Sequence, residues 1–423
     1  MKPTIKEYPS GLRLIVEPMP SFKSVATSVF IIAGSRDESP KQWGLSHFVE
    51  HMLFKGTTTR SAQDIANTLS GLGVDYNAYT STNATCYHTR GLGNNVDVCC
   101  DILSDMYFNL KFSDEDFKRE ADVICQEIAM RDDHPRLALS ELAAETFYAD
   151  TKYGHNIAGT TETVLAMTPD DIHDYIKTHY VAPKTIISFS GDITVEHAEK
   201  LVEKYFVPHF KGSAKPLEQP LTDHKINPSQ QFVSKEKDTE QQNVAILFPI
   251  MNNNHDERWA MSFVNEIFSS DMSSRLFISV RDKLGLVYSI SGGMSLADLG
   301  GYYYIYFSCT PKNTSKVLKT INEELKRLKG DGVTEAEVKK VKNIKLAEKL
   351  YQGESVEGVN QRNVRYLSEF NRIVPVEEYL ENVNKIELAD VNRIANKYLN
   401  YDNVIVAAVG KSLDKLKPFD FLS

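Results

Sequence analysis

Two histidines and a glutamate crowd one short stretch of the chain: Gly44–Thr57 reads GLSHFVEHMLFKGT, with His47, Glu50 and His51 in the pattern HxxEH. Side chains four apart stack on one face of an α-helix, so both imidazoles can grip a single metal ion. Glu50, one turn from His47 and beside His51, then sits next to whatever the ion holds. Two imidazoles suit Zn²⁺, and a third protein ligand would leave one position for water. A water held this way, with a carboxylate against it, is the machinery of metal-assisted hydrolysis. Packed or hydrogen-bonded core histidines would spell the same letters; the amphipathic setting of the segment favours the metal.

A third ligand has to come from elsewhere. Ser113–Asp133 reads as a helix, with Ser113 as N-cap and acids in its first turn. It carries Glu120 and Glu127 in READVICQE; seven residues is two turns, so these carboxylates share a face amid Val123, Ile124, Cys125 and Ile128. Acids in such apolar company are either a solvated pair or bound to a cation, and the spacing alone leaves both readings open.

The elements that must position these groups repeat. Thr168–Asp192 has a helix start (Thr168, then Pro169), an amphipathic helix, a tyrosine and a β-branched run ending at Gly191; Glu387–Gly410 does the same again 219 residues later. Val25–Gly34 is matched by Asn243–Asn252, and Gly71–Tyr76 by Leu284–Tyr288. Three echoes in one order indicate a duplicated domain, a size that suits a chain of 423 residues with 42% hydrophobic content. We expect an N-terminal domain over 1–211, a polar, proline-rich linker over 212–228 and a degenerate C-terminal repeat over 229–423. Asn94–Leu110 reads as a further helix; Asp75–Thr80, Thr85–Gly91 and Tyr302–Cys309 read as strands, and the alternating run Tyr302-Tyr303-Tyr304 is expected to be core on one face. Strands cluster and helices cluster, which makes the fold α+β, each domain a mainly antiparallel sheet packed with helices.

With these residues in view, the chain resembles the pitrilysin/insulinase family of zinc peptidases, the inverzincins, and most closely their short, processing-peptidase-like bacterial members. The resemblance spans nearly the whole chain. It runs from Ser10-Gly11-Leu12-Arg13-Leu14 and Ala33-Gly34-Ser35-Arg36-Asp37-Glu38 through the HxxEH segment, Asn77–Ser81, the Glu120/Glu127 helix and Gly159-Thr160. It ends in Ser274-Arg275-Leu276-Phe277 and Arg281…Tyr288. The resemblance implies that His47, His51 and Glu127 bind one Zn²⁺ per chain, that Glu50 is the general base and that Glu120 orients a ligand. It implies that Tyr288 donates to the tetrahedral oxyanion while Arg281 holds substrate backbone. It implies that Asn77, Ala78, Tyr79 and Thr80 form an edge strand on which an extended peptide pairs. It further implies a half-clamshell, two of which close a chamber around short or unfolded peptides, as a homodimer or beside a related subunit.

The second half has no HxxEH, and from Lys211 onward the only histidines are His224 and His255. The glycine-rich loop of the family's non-catalytic processing subunit is absent before Met272-Ser273-Ser274-Arg275. The expected activity is therefore that of a zinc metalloendopeptidase; the alternative is a catalytically silent, peptide-binding subunit of a hetero-oligomeric peptidase. His134 and His155 read as loop or capping residues, and the lysines of Glu335–Lys349 as a solvated helix face or inter-domain surface.

Composition narrows the partners. A net charge of −9 disfavours nucleic acid and argues for basic peptides. No apolar run approaches the roughly 18 residues of a membrane helix, and the N-terminus carries no signal or transit pattern, so a cytoplasmic location without membrane partners is expected. Five cysteines without a CxxC fit a reducing compartment. Nucleotide-binding glycine motifs are missing from the sequence.

Overall fold

The computed structural model describes residues 2–210, 226 and 228–422. The linker expected at 212–228 falls outside the described residues apart from Ile226 and Pro228. The fold is α+β, with two separate sheets, each packed with helices.

The first sheet has six strands: β1 (Thr4–Glu7), β2 (Arg13–Pro18), β3 (Ser24–Ile31), β4 (Asp75–Thr80), β5 (Thr85–Leu92) and β6 (Thr185–Gly191), in the order β1-β2-β6-β3-β5-β4. Among the described residues only β2 and β6 of this sheet pair in parallel. The second sheet has five: β7 (Gln231–Glu236), β8 (Gln242–Ile250), β9 (Ser289–Ala297), β10 (Gly300–Cys309) and β11 (Ile405–Gly410), in the order β7-β11-β8-β10-β9. Here β7 and β11 make the one parallel pair among the described residues. Without β1 the two orders superimpose strand for strand, and the echoes in the sequence fall on matching elements: β3 with β8, β6 with β11, and the turns before β4 and β9.

The central strands are buried on both faces. Every residue of β6 and of β11 is buried, so neither strand alternates. A sheet with two apolar faces needs two covers, and this dictates how the chain divides. One compact unit comprises Met1–Ala129, His155–Glu218 and Lys349–Val374; the other comprises Met130–Gly154, Gln219–Glu348 and Pro375–Ser423. The contiguous halves expected from the sequence are thus interleaved.

In the first unit the helix Val356–Phe370 covers the second face: Val364 and Leu367 pack on Ile15, Phe30, Cys86 and Ile186. Its Asn360 donates to the Ala26 carbonyl at 3.0 Å, inside the sheet. In the second unit the helix Pro135–Phe147 does the same, setting Leu139 and Phe147 against Leu247, Tyr306, Ile405 and Val409. Tyr303 is fully buried in the main core of that unit, while Tyr302 meets Phe147 on the other side at 4.8 Å between ring centroids. The Tyr302–Tyr304 run is therefore packed on both faces, not one.

The lysine-rich helix is Glu335–Tyr351. Lys345 pairs with Glu266 at 2.6 Å, and Lys349, 3% exposed, donates to Tyr366 at 2.8 Å, so of the two settings expected for this helix the solvated face does not hold at these two lysines. The five cysteines are free. Among the described residues no helix is long and apolar enough to cross a membrane.

Candidate metal centre

The HxxEH segment forms the helix Leu45–Leu53. Leu45, Phe48, Val49, Met52 and Leu53 are buried in the core of the first unit, which turns His47, Glu50 and His51 to the opposite face. Gly44 begins the helix at φ +98°, and a Cβ there would meet the Ala158 carbonyl oxygen at 2.5 Å, so the close approach of the Gly159 loop requires glycine. The helix start is held by Glu38, whose carboxylate accepts from the N–H of Gly44 at 2.8 Å and of Ser46 at 2.7 Å. An anion at this end also suits the helix dipole. His155 is a buried part of this support: it stacks on Trp43 at 4.9 Å and sets Nε2 3.4 Å from Glu38. It lies in the loop between Phe147 and Thr161, as expected, but is buried there.

The helix Asp114–Asp133 brings the acids. Ser113 caps it as expected, accepting from the Asp116 N–H at 3.1 Å. Glu127 Oε2 lies 3.7 Å from Nε2 of His47 and 3.7 Å from Nε2 of His51. All three donor atoms fall within 4.8 Å of one another. A tetrahedral Zn²⁺ with ligands at ~2.0–2.1 Å has edges of about 3.4 Å, so two imidazoles and a carboxylate in this arrangement fit the ion. Among the described residues this is the one such three-donor group.

Glu120 faces His51 from behind. Its Oε1 lies 2.8 Å from Nδ1 and its Oε2 lies 2.5 Å from Lys55 Nζ. Burial alone would raise the Glu120 pKa, but these two partners hold it below the usual carboxylate value. Glu50 behaves oppositely. Burial pushes its pKa up, and the Thr80 hydroxyl, donating to Oε2 at 2.5 Å, only partly offsets that.

Thr80 ends β4, the outermost strand of the first sheet, and β4 has no strand on its far side among the described residues. Asn77 and Tyr79 on it are exposed, and Ala78 and Thr80 half-buried. Thr80 is thus bonded to Glu50, a role the sequence reading did not give it. Lys55 and Glu38 were also missed as functional supports; Lys55 follows His51 by one turn, the only local signal available.

Arg281 and Tyr288 belong to the second unit. Arg281 sits in a π-helical segment, Phe277–Lys283, with its guanidinium 4.6 Å from the Phe277 ring centroid and 5.8 Å from that of Tyr288. Their seven-residue spacing therefore does bring them together, and Tyr288 is 79% exposed. His134 occupies the N-cap position of Pro135–Phe147 without a side-chain capping bond.

The chain is similar to known zinc proteases. Residues 13–161 match the family described as Insulinase (Peptidase family M16), and residues 166–345 match the Peptidase M16 inactive domain. The uncharacterized zinc protease YmxG of Bacillus subtilis is 32% identical over 401 residues, covering 94% of this chain and 96% of its own. An uncharacterized zinc protease of Mycobacterium leprae is 29% identical over 93% of this chain and 88% of its own. A protease from Helicobacter pylori shares the fold with a TM-score of 0.90 at 21% identity, covering 97% of this chain and 99% of that one. A peptidase M16 inactive domain from Pseudomonas fluorescens does so with a TM-score of 0.87 at 18% identity over 97% and 99%.

Proposed function

The chain belongs to the insulinase family, peptidase family M16, and on that premise we propose that it is a zinc-dependent endopeptidase with one ion per chain held by His47, His51 and Glu127. The observation that carries this reading is the convergence of both Nε2 atoms on one Glu127 oxygen at 3.7 Å. The chemistry a Zn²⁺ there supplies is a lowered water pKa, toward ~7, and a polarised scissile carbonyl.

Glu50 acts as the base. Thr80 occupies its Oε2, so Oε1 takes the proton from the attacking water and later hands it to the leaving amine. A carboxyl raised by burial is suited to both halves of that task, because it binds the proton long enough to deliver it. Glu120 orients His51. Tyr288 donates to the oxyanion and Arg281 holds substrate backbone. The open edge of β4 receives the peptide as an added strand through Asn77–Thr80. Two chains, identical or related, enclose peptides or unfolded segments, and sedimentation at working concentration tests that part.

The central test is Glu50→Gln. The variant is expected to retain zinc by elemental analysis and to lose peptide hydrolysis by about 10³-fold or more. The parent should lose activity to a chelator and regain it with zinc. If Glu50→Gln cleaves as fast as the parent, the assignment of the base is wrong.

A further inference from the structure

A shallow, open cavity of about 390 Å³ lies in the second unit, at the N-terminus of the helix Pro135–Phe147 and against the ends of β8, β9 and β10. Tyr288 lines it, together with Arg136, Asn243 and Tyr306. The donors here lack acceptors. The helix begins without a side-chain cap, so its first N–H groups keep their partial positive charge. The Arg136 guanidinium lies over the Tyr306 ring, 4.7 Å from its centroid, and no carboxylate pairs with it among the described residues. Asn243, only 7% exposed, accepts the Tyr306 hydroxyl at Oδ1 (2.9 Å), while its Nδ2 has no partner among the described residues. One acid, Glu240, reaches the rim, and Lys411 engages it at 2.8 Å.

A guanidinium, the accessible amide N–H of an otherwise buried asparagine and an uncapped helix end around one cavity match a planar anion with two oxygens. We propose that this cavity receives a carboxylate of the bound peptide, from an Asp or Glu side chain or from the chain's C-terminus. The proposal rests on the reading above, in which peptide lies beside Tyr288, and it names part of the substrate class. It runs against the basic-peptide expectation drawn from net charge. Local donors win over a net charge of −9 spread across the surface, because salt screens exposed charges beyond about 10 Å.

The experiment measures Kd by fluorescence anisotropy on the zinc-loaded full chain carrying Glu50→Gln, so that peptides are bound without turnover. The probes are labelled ten-residue peptides in which one glutamate, moved position by position, is compared with glutamine, each made with a free and with an amidated C-terminus. We expect one glutamate position, or the free C-terminus, to bind about tenfold tighter than its neutral counterpart. Which arm shows the gain identifies the source of the carboxylate. Arg136→Gln, an exposed change, should erase the gain, and Arg136→Lys should keep part of it. Equal binding of all four peptide types, or a gain that survives Arg136→Gln, overturns the proposal. Absence of hydrolysis by the zinc-loaded parent would count against the peptidase reading and leaves these binding differences to be read separately.

Discussion

Glu120 Oε1 stands 2.8 Å from Nδ1 of His51, on the ring edge away from the Nε2 that faces Glu127. A carboxylate in that position accepts the Nδ1–H and so keeps the lone pair on Nε2 for a metal. Its second oxygen is held by Lys55, which fixes the plane of the carboxylate. We expect Glu120→Gln to weaken zinc affinity by about 10- to 100-fold in competition with a chromogenic chelator, with the far-ultraviolet circular dichroism unchanged. Lys55→Met should give a smaller loss of the same sign. Parent-like affinity in both variants would remove Glu120 from the metal site.

The Thr80–Glu50 bond carries a pH signature. Burial raises the Glu50 pKa, and the hydrogen bond from Thr80 favours the charged form and pulls it back down. Under the proposed function the base works deprotonated, so activity is expected to fall on the acid side as Glu50 gains its proton. Thr80→Val removes the opposing bond and should move the acid limb of kcat/KM to higher pH, so that the loss relative to the parent is greater at pH 5 than at pH 8. A uniform loss at all pH values would assign Thr80 to peptide binding alone.

Glu38 is the less visible support. Its side chain is fully buried and serves the N–H groups of Gly44 and Ser46 at the start of the metal helix. Glu38→Ala leaves both donors buried without an acceptor, each costing about 1–3 kcal/mol, so a loss of roughly 3 kcal/mol in denaturant unfolding is expected, accompanied by weaker zinc binding. Glu38→Gln, whose amide oxygen still accepts, should lose about half as much. A variant as stable as the parent would show that the cap is dispensable.

The legibility of these features in the sequence follows their range. HxxEH could be read because four-residue spacing on a helix is a local rule, and Glu127 shares a face with Glu120 for the same reason. That this face meets the two imidazoles is a long-range fact, and it came from likeness to a family. Glu38 lies before the helix in a short turn without periodicity, and Lys55 reads as one more charged residue after it; only tertiary packing gives them roles. The duplicated sheets were legible because β3 and β8, and β6 and β11, keep the same apolar runs. The interleaving of the two halves was not. The pattern of Val356–Phe370 tells which face is apolar, but not which sheet it covers. The clue was in β11, where IVAAVG lacks the alternation of a strand with one wet face; in β6 the alternation of Ile187-Ser188-Phe189-Ser190 hides the second buried face, because small serines sit there.

That interleaving makes a prediction about cutting the chain. A fragment 1–211 lacks Val356–Phe370, leaving Ile15, Phe30, Cys86 and Ile186 without the cover of Val364 and Leu367. A fragment 229–423 lacks Pro135–Phe147 and bares Leu247, Ile405 and Val409. Each uncovered aliphatic or aromatic side chain forfeits about 1.5–3 kcal/mol, so four or five of them lose about 6–15 kcal/mol, as much as the roughly 5–15 kcal/mol that holds an ordinary domain together. Neither fragment should give cooperative unfolding alone, and both should bind a dye that reports exposed apolar surface. Mixing 1–211 with 212–423 supplies both missing helices and should restore the cooperative transition and zinc binding. Independent, cooperative folding of either fragment would mean that the second sheet face needs no borrowed helix, and the division into interleaved units would fall with it.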